Sequence, residues 1–284
     1  MAQIEDILQV ERIETDIYRG RAFKSYLWRT FGGQVAGQAL VSATRTVGPE
    51  YAVHSLHGYF LRPGNPDIPV VFLVDRVRDG RSFVTRRVTG VQNGEAIFSM
   101  SASFHVTTDH GIEHQDLMPP APDPETLTDR YDDLGDDRKS VYREWSNFNI
   151  RIVPRDQLVI SDRIAAQQRV WFRSRHPLPD DQTIHVCTLA YMSDMTLLGS
   201  SKVAHPGVEP QAASLDHAMW FLRPFRADDW LLYDQSSPSA GGGRALTQGR
   251  IFDRSGRLVA AVTQEGLSRT DRPVPADQFA RRDG

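Results

Sequence analysis

Phe60-Leu61-Arg62-Pro63 occurs again, unchanged, as Phe221-Leu222-Arg223-Pro224, 161 residues later. Each copy has the same sequel: a Gly-Arg step (Gly80-Arg81, Gly243-Arg244), a small-residue turn (Asn93-Gly94, Ser255-Gly256), then a strand-like run. The offsets are 161, 163 and 162, so the two copies hold register over about fifty residues, which a chance tetrapeptide would not do. The chain reads as one module written twice.

Working outward from the first copy, 31–44 (FGGQVAGQALVSAT) is small and apolar on every side, which suits a helix buried nearly all round. Its leading glycines let another backbone approach closely. A strand over 53–61 follows and ends in the turn chemistry of Arg62-Pro63-Gly64-Asn65-Pro66. From Ile68 the pattern is β, with hairpin signals at Asp79-Gly80 and Asn93-Gly94. In the last run Phe98, Met100, Ala102, Phe104 and Val106 take one face, and Ser99, Ser101, Ser103 and His105 the other. The module is a helix followed by an antiparallel meander, an α+β layer arrangement. Upstream, residues 4–13 predict a short amphipathic helix, and 16–19 a strand.

The second copy repeats the order. Strands are predicted over 148–153 and 169–173, the second central helix over 190–198, and strands over 214–222, 230–235, 244–253 and 258–266. Between the copies, residues 118–140 hold four prolines and seven Asp or Glu, which reads as a linker with a solvated acidic surface. The expected division is 1–108 for the first module, 109–145 for the acidic, Pro-rich linker, and 146–284 for the second module. The tail beyond Ser268 is polar and expected to fray.

Composition excludes several classes. With 33 basic and 36 acidic residues the net charge is −3, so no global basic field invites nucleic acid or an anionic membrane. One cysteine, Cys187, rules out an internal disulfide framework and fits a reducing compartment. No run of 18 apolar residues predicts a membrane span, and the amino terminus lacks the pattern of a signal peptide. The closing ARRDG is not a peroxisomal address, so the cytoplasm is the default expectation.

A duplicated module invites a search for positions where one copy is polar and the other apolar. Gln264 falls opposite Ala102 and should face inward with Leu258, Ala260 and Val262. A buried amide must be hydrogen-bonded, so a structural tie to a backbone group is the bland alternative. Ser214 falls opposite Val53; the pattern around it assigns no face, and a serine beginning a strand is ordinarily a turn or capping residue. Asp194, if 190–198 is helical, lies beside the packing face, where a carboxylate needs a partner; alternatively it is an early helix residue favoured by the dipole. Together the three supply an acid, a hydroxyl and an amide from three elements. Such a set can hold and polarise one water, with the carboxylate taking the proton, and suits an already reactive carbonyl such as a thioester.

Other motifs are weaker. Asp216-His217 are strand neighbours and should point to opposite faces. No G-x-S-x-G elbow is present, against a serine α/β-hydrolase. Gly241-Gly242-Gly243 lacks the lysine of a phosphate-binding loop and reads as a hairpin. His54 with His57, and His185 near Cys187, lack the further ligands a metal would need. No metal and no redox cofactor are expected.

FGGQVAGQAL, HSLHGYFLRPG, the DGRSF step and VQNG resemble the first half of type II (TesB-like) acyl-CoA thioesterases. LDHAMWFLRPF, LLYDQSSPSAGGGRAL and the closing QEG resemble the second half, so the resemblance spans about residues 5–268. It implies a double hot-dog fold, in which two copies of a helix are each wrapped by an antiparallel sheet and the sheets join. It also implies hydrolysis of fatty acyl-CoA to fatty acid and CoA, with no cofactor. The implied catalytic residues are an Asp on the second central helix, a Ser or Thr before the L-D-H-x-M-W strand and the Gln of Q-E-G; here these are Asp194, Ser214 and Gln264. Surface arginines are expected for the CoA phosphates, with Arg81 and Arg244 as candidates, and the acyl-CoA substrate and further copies of the chain as partners. Two other readings stand beside it: an enoyl-CoA hydratase or dehydratase of the same fold, and a non-catalytic acyl-CoA binding module. Against the first, Gly199 stands five residues after Asp194, where a D-x-x-x-x-H pair would place histidine.

Overall fold

A computed structural model of the chain describes residues 2–108, 110–132, 134 and 142–271. Asp133, Asp136 and Asp137 of the acidic run, and the tail from 272, lie outside the described residues. The first module contains α1 (Ile4–Leu8), β1 (Val10–Glu14), β2 (Ile17–Gly20), α2 (Gly32–Thr44), β3 (Tyr51–Phe60), β4 (Val70–Asp79), β5 (Phe83–Gln92) and β6 (Glu95–Val106). The second contains β7 (Phe148–Ile152), β8 (Ala166–Ser174), α3 (Gln182–Met192), β9 (Gln211–Ser214), β10 (Asp216–Phe221), β11 (Leu231–Gly241), β12 (Arg244–Asp253) and β13 (Leu258–Arg269). All thirteen strands join in one sheet ordered β1-β2-β4-β5-β6-β3-β10-β13-β12-β11-β8-β7, with β9 paired to β13.

The order is the duplication seen in space. Each half reads alike from its outer edge to the seam, where β3 pairs antiparallel with β10, Gly58 against His217. Even the irregularities repeat. The register of β3 on β6 shifts between Val53 and Ser55, and in the second module the pairing on β13 breaks between Ser214 and Asp216. His54 and Leu215 occupy the two bulges. A bulge bends its strand and re-aims the neighbouring side chains, and such features cluster beside functional sites.

The two helices lie against each other inside the curl of the sheet. A side chain on Gly33 would collide with the carbonyl oxygen of Tyr191, and one on Gly37 would meet Leu8 at 2.7 Å and the Cys187 carbonyl at 3.3 Å. Glycine at these two positions, one turn apart, is what permits the contact. Both helices are consequently buried on nearly all sides, Ala39, Leu40, Leu189 and Ala190 having no exposure.

Three expectations are corrected. Residues 4–13 are not one helix: α1 stops at Leu8, and Val10 begins a strand paired to Gly20. The second central helix spans Gln182–Met192 instead of 190–198, starting from the Asp181 carboxylate, which accepts the Thr183 N–H at 2.9 Å. The acidic segment, where described, is not a solvated tether. Residues 118–130 lie on the face of the sheet away from α3, over a small apolar cluster of Leu127, Trp171, Leu232 and Phe252. Asp123 pairs with Arg254 at 2.6 Å, Glu125 accepts from Trp230 Nε1 at 2.8 Å, and Trp171 Nε1 donates to the Pro122 carbonyl at 3.0 Å.

Candidate active site

Asp194 lies two residues past the end of α3, in the turn before a 3-10 helix over Leu198–Ala204. It is therefore not an early helix residue supported by the dipole, since the helix presents its carboxyl end there. The turn is fixed from the sheet. Ser193, fully buried, places its hydroxyl 2.8 Å from His217 Nε2, and its carbonyl accepts from the Tyr233 hydroxyl at 3.2 Å. On the other side, Gln235 donates to Thr196 Oγ1 at 2.6 Å and accepts from Gln168 at 2.8 Å.

The structure brings the three sequence-predicted residues together. Ser214 Oγ donates to Asp194 Oδ1 at 3.1 Å, and Gln264 Nε2 donates to the same oxygen at 2.6 Å. Ser214 ends β9 beside the bulge at Leu215, opposite Gly266. Gln264 is fully buried in β13, on the inward face with Ala260 and Val262; Leu258, expected on the same face, packs instead against the outer cluster, past a shift in the pairing with β12 between Ile251 and Phe252. Its amide oxygen is buried without a hydrogen-bond partner among the described residues.

The first module completes the site. A cavity of about 420 Å³ is walled by Phe31, Gly32 and Phe60 from the first module and by Asp194, Leu198 and Ser214 from the second. Asp194 is the one acidic side chain on its wall among the described residues. The α-carbon of Gly32, first residue of α2, faces Asp194 Oδ2, and the intrahelical bonds of that turn begin with Gln34 N–H to the Phe31 carbonyl. Gly32 lines the cavity, whereas Gly33 packs against the Tyr191 carbonyl and the Phe31 ring; the first-turn N–H groups of α2 have no partner within the helix. Arg29, on the same wall, donates to the Ala212 carbonyl of β9 at 3.0 Å. Burial pulls its guanidinium below its ordinary value, while the charge of Asp194 pulls it back up.

The weaker motifs are accounted for by structure. Asp216 accepts the Glu265 N–H at 2.7 Å and does not act with His217, which points to the opposite side of β10 and is buried. Burial holds the His217 imidazole below its ordinary value, against the raising charges of Asp194 and Asp216. Cys187 is fully buried, and burial pushes its thiol far up, which makes it a packing residue and not a nucleophile. His185 Nδ1 accepts the Ala227 N–H at 3.1 Å, and His54 Nε2 stands 2.9 Å from Ser103 Oγ. Gly242 and Gly243 both have positive φ and close the hairpin between β11 and β12. Among the described residues no group of His, Cys, Asp or Glu is placed to hold a metal, and no helix is long and apolar enough to cross a membrane. Sequence reasoning missed Gly32, Arg29, Ser193, Tyr233 and Gln235. Of these only Gly32 carried a signal, as one of the glycines opening α2, and that signal pointed to close packing and not to the site.

A helix held inside a curled antiparallel sheet, written twice and joined at β3 and β10, defines a double hot-dog protein. Residues 25–105 match the family described as the acyl-CoA thioesterase N-terminal domain, and residues 142–267 that described as acyl-CoA thioesterase. Acyl-coenzyme A thioesterase 8 of Mus musculus is 39% identical over 94% of this chain and 88% of its own length. Acyl-CoA thioesterase 2 of Haemophilus influenzae is 34% identical over 93% of this chain and 96% of its own. The crystal structure of an acyl-CoA thioesterase II from Mycobacterium marinum superposes with a TM-score of 0.85 at 59% identity, covering 96% of this chain and 99% of that one. The chain belongs to the type II acyl-CoA thioesterase family.

Proposed function

We propose that the protein hydrolyses acyl-CoA thioesters to the carboxylic acid and CoA, by direct attack of water. The observation that carries the mechanism is the sharing of Asp194 Oδ1 by Ser214 and Gln264, with Asp194 and Ser214 on the wall of a largely apolar cavity and Gln264 buried behind them. The two donors fix one carboxylate oxygen and, with it, hold a water; Oδ2, turned toward Gly32, takes the water's proton. The water oxygen bonds to the thioester carbon, the C–S bond breaks, and the proton passes from Asp194 to the leaving thiolate. Charge that builds on the carbonyl oxygen is met by first-turn N–H groups of α2, where Gly32 lines the cavity. The first module, residues 1–108, supplies these donors and the opposite wall; the second, from 146 on, supplies the proton acceptor.

A cytoplasmic location fits a chain whose single cysteine is buried and unpaired. Association of identical copies fits the exposed Tyr59 and Trp220 on the outer face of the seam. Fractionation and sedimentation test these two statements.

The activity is tested by following thiol release from palmitoyl-CoA and hydration of crotonyl-CoA with the same preparation, and by measuring binding of each separately. Thiol release that is lost in Asp194→Asn, without hydration, is the expected outcome. Hydration without thiol release would assign the site to the hydratase reading, and binding with neither reaction to a carrier.

A further inference from the structure

A second cavity, of about 330 Å³, opens beside the first and shares Ser201, Lys202, Pro210 and Ser268 with it. It differs from its neighbour in carrying cations without a carboxylate. Lys202, His205 and Arg244 line it together with the hydroxyl residues Ser201, Ser268 and Thr270, and no acidic side chain lines it among the described residues. Lys202 pairs with Glu209 at 2.7 Å and Arg244 with Glu265 at 2.9 Å, but neither carboxylate is part of the wall. These pairs hold the cationic heads in place, and exposed pairs of this kind are weak enough to be exchanged for a more highly charged anion. The hairpin between β11 and β12 leaves space at the rim, since a side chain on Gly241 would meet nothing within 4 Å. The cavity that holds Asp194 therefore continues past Lys202, common to both walls, into one where Lys202, His205 and Arg244 stand among hydroxyls with no carboxylate.

We infer that this second cavity binds the phosphates of the substrate's CoA portion, with Lys202 and Arg244 as the charged contacts and His205 at the rim. The inference rests on the thioesterase reading for the identity of the ligand. The neutral pantetheine arm crosses the shared wall at Ser201 and Ser268, and the thioester lies at Asp194. Of the two arginines singled out by the sequence, Arg244 falls in this cavity. Arg81 lines neither cavity.

The test compares an acyl-CoA with the matching acyl-pantetheine, which has the same thioester and no phosphate. In Lys202→Gln and Arg244→Gln, kcat/KM for the CoA ester should fall by roughly tenfold per cation removed, through KM. The pantetheine ester should lose much less, so the preference for CoA collapses. Binding of adenosine 3′,5′-bisphosphate by calorimetry should weaken in parallel, while inorganic phosphate competes only weakly. Melting temperatures check that both variants fold. Equal losses on the two esters, or bisphosphate binding unchanged in the double variant, would overturn the assignment. If the wild-type protein cleaves neither ester, the thioesterase reading fails, and bisphosphate binding and its loss in the variants still decide whether the cavity is a phosphate site.

Discussion

Gly32 and Asp194 stand so close that a methyl group on the first would come 2.7 Å from Oδ2 of the second. The two residues belong to different modules, so the start of one central helix is fitted to a carboxylate that follows the other. Gly32 does not need glycine for its backbone, because its φ is not in the left-handed region. Its glycine is a spatial requirement of the site. Gly32→Ala should lower turnover by on the order of 10²-fold, since a shift of about 1 Å at a reacting group has that effect. The melting temperature should also fall, since the methyl would press on the Phe60 ring at 3.0 Å as well as on the carboxylate, and overpacking of this kind costs about 1–3 kcal/mol. Full activity in this variant would mean that Asp194 Oδ2 does not face the reacting atoms.

Asp194 and Asp216 offer a direct comparison. The carboxylate of Asp194, on the cavity wall, accepts from Ser214 and from the buried Gln264, whereas that of Asp216 holds the backbone N–H of Glu265 at 2.7 Å. Asp194→Asn should reduce kcat by roughly 10²–10⁴, the usual contribution of a general base, with acyl-CoA binding retained. Asp216→Asn should cost less, because an amide oxygen still accepts the Glu265 N–H. The reverse order in kcat would move the chemistry to β10.

How much of this was open to reading in the sequence follows from which forces fixed each part. The duplication was legible because it is written in identical tetrapeptides at constant offset. The inward face of Gln264 was legible because strand side chains alternate with a period of two, whatever lies above them. The end of α3 was not, because the run past Met192 is apolar enough to continue a helix. What turns the chain there is tertiary: His217 and Tyr233, from two strands, take hold of Ser193. The segment after residue 109 misled for the same reason. Its composition is that of a linker, but its acids and carbonyls answer Arg169 and Trp171 on β8 and Arg254 in the turn after β12, at positions no local pattern connects to it. The fit of Gly32 to Asp194 joins residues 162 apart and carries no periodic signal.

His217 gives the fold a pH dependence. Burial holds its imidazole below the ordinary 6.5, outweighing the raising charges of Asp194 and Asp216. Below about pH 6.5 the unfolded chain therefore binds a proton that the native chain refuses, and the native state loses stability as pH falls further toward the native value. One such group contributes a slope of at most about 1.4 kcal/mol per pH unit. Above pH 6.5 this group contributes no slope. His54 and His185 are also held low by burial and act with the same sign. His217→Gln, which keeps a partner for Ser193, should flatten the slope without abolishing it. Urea unfolding at two pH values on either side of 6 measures this, and an unchanged slope would show that His217 takes up its proton in the native state as readily as in the unfolded chain.

The duplication predicts one reaction centre per chain. The paired registers set Val53 against Phe104 and Ser214 against Gly266, so the residues beside the two bulges correspond, one apolar and one a hydroxyl. Ala102 stands opposite Leu56 in the first module, in the position that Gln264 takes in the second. Neither Val53 nor Ala102 can orient a water by hydrogen bonding, so under the proposed mechanism the first module contributes cavity wall and no second proton acceptor. Gln264→Ala makes the second module like the first at that position. It withdraws the 2.6 Å donor to Asp194 and should lower turnover while leaving the fold intact, because alanine already packs fully buried at the paired site. Titration of the wild-type protein with a non-hydrolysable acyl-CoA thioether should saturate at one site per chain. Two equivalent sites would require a second carboxylate and hydroxyl in the first module, and would break the correspondence between the two bulges on which the single-centre reading depends.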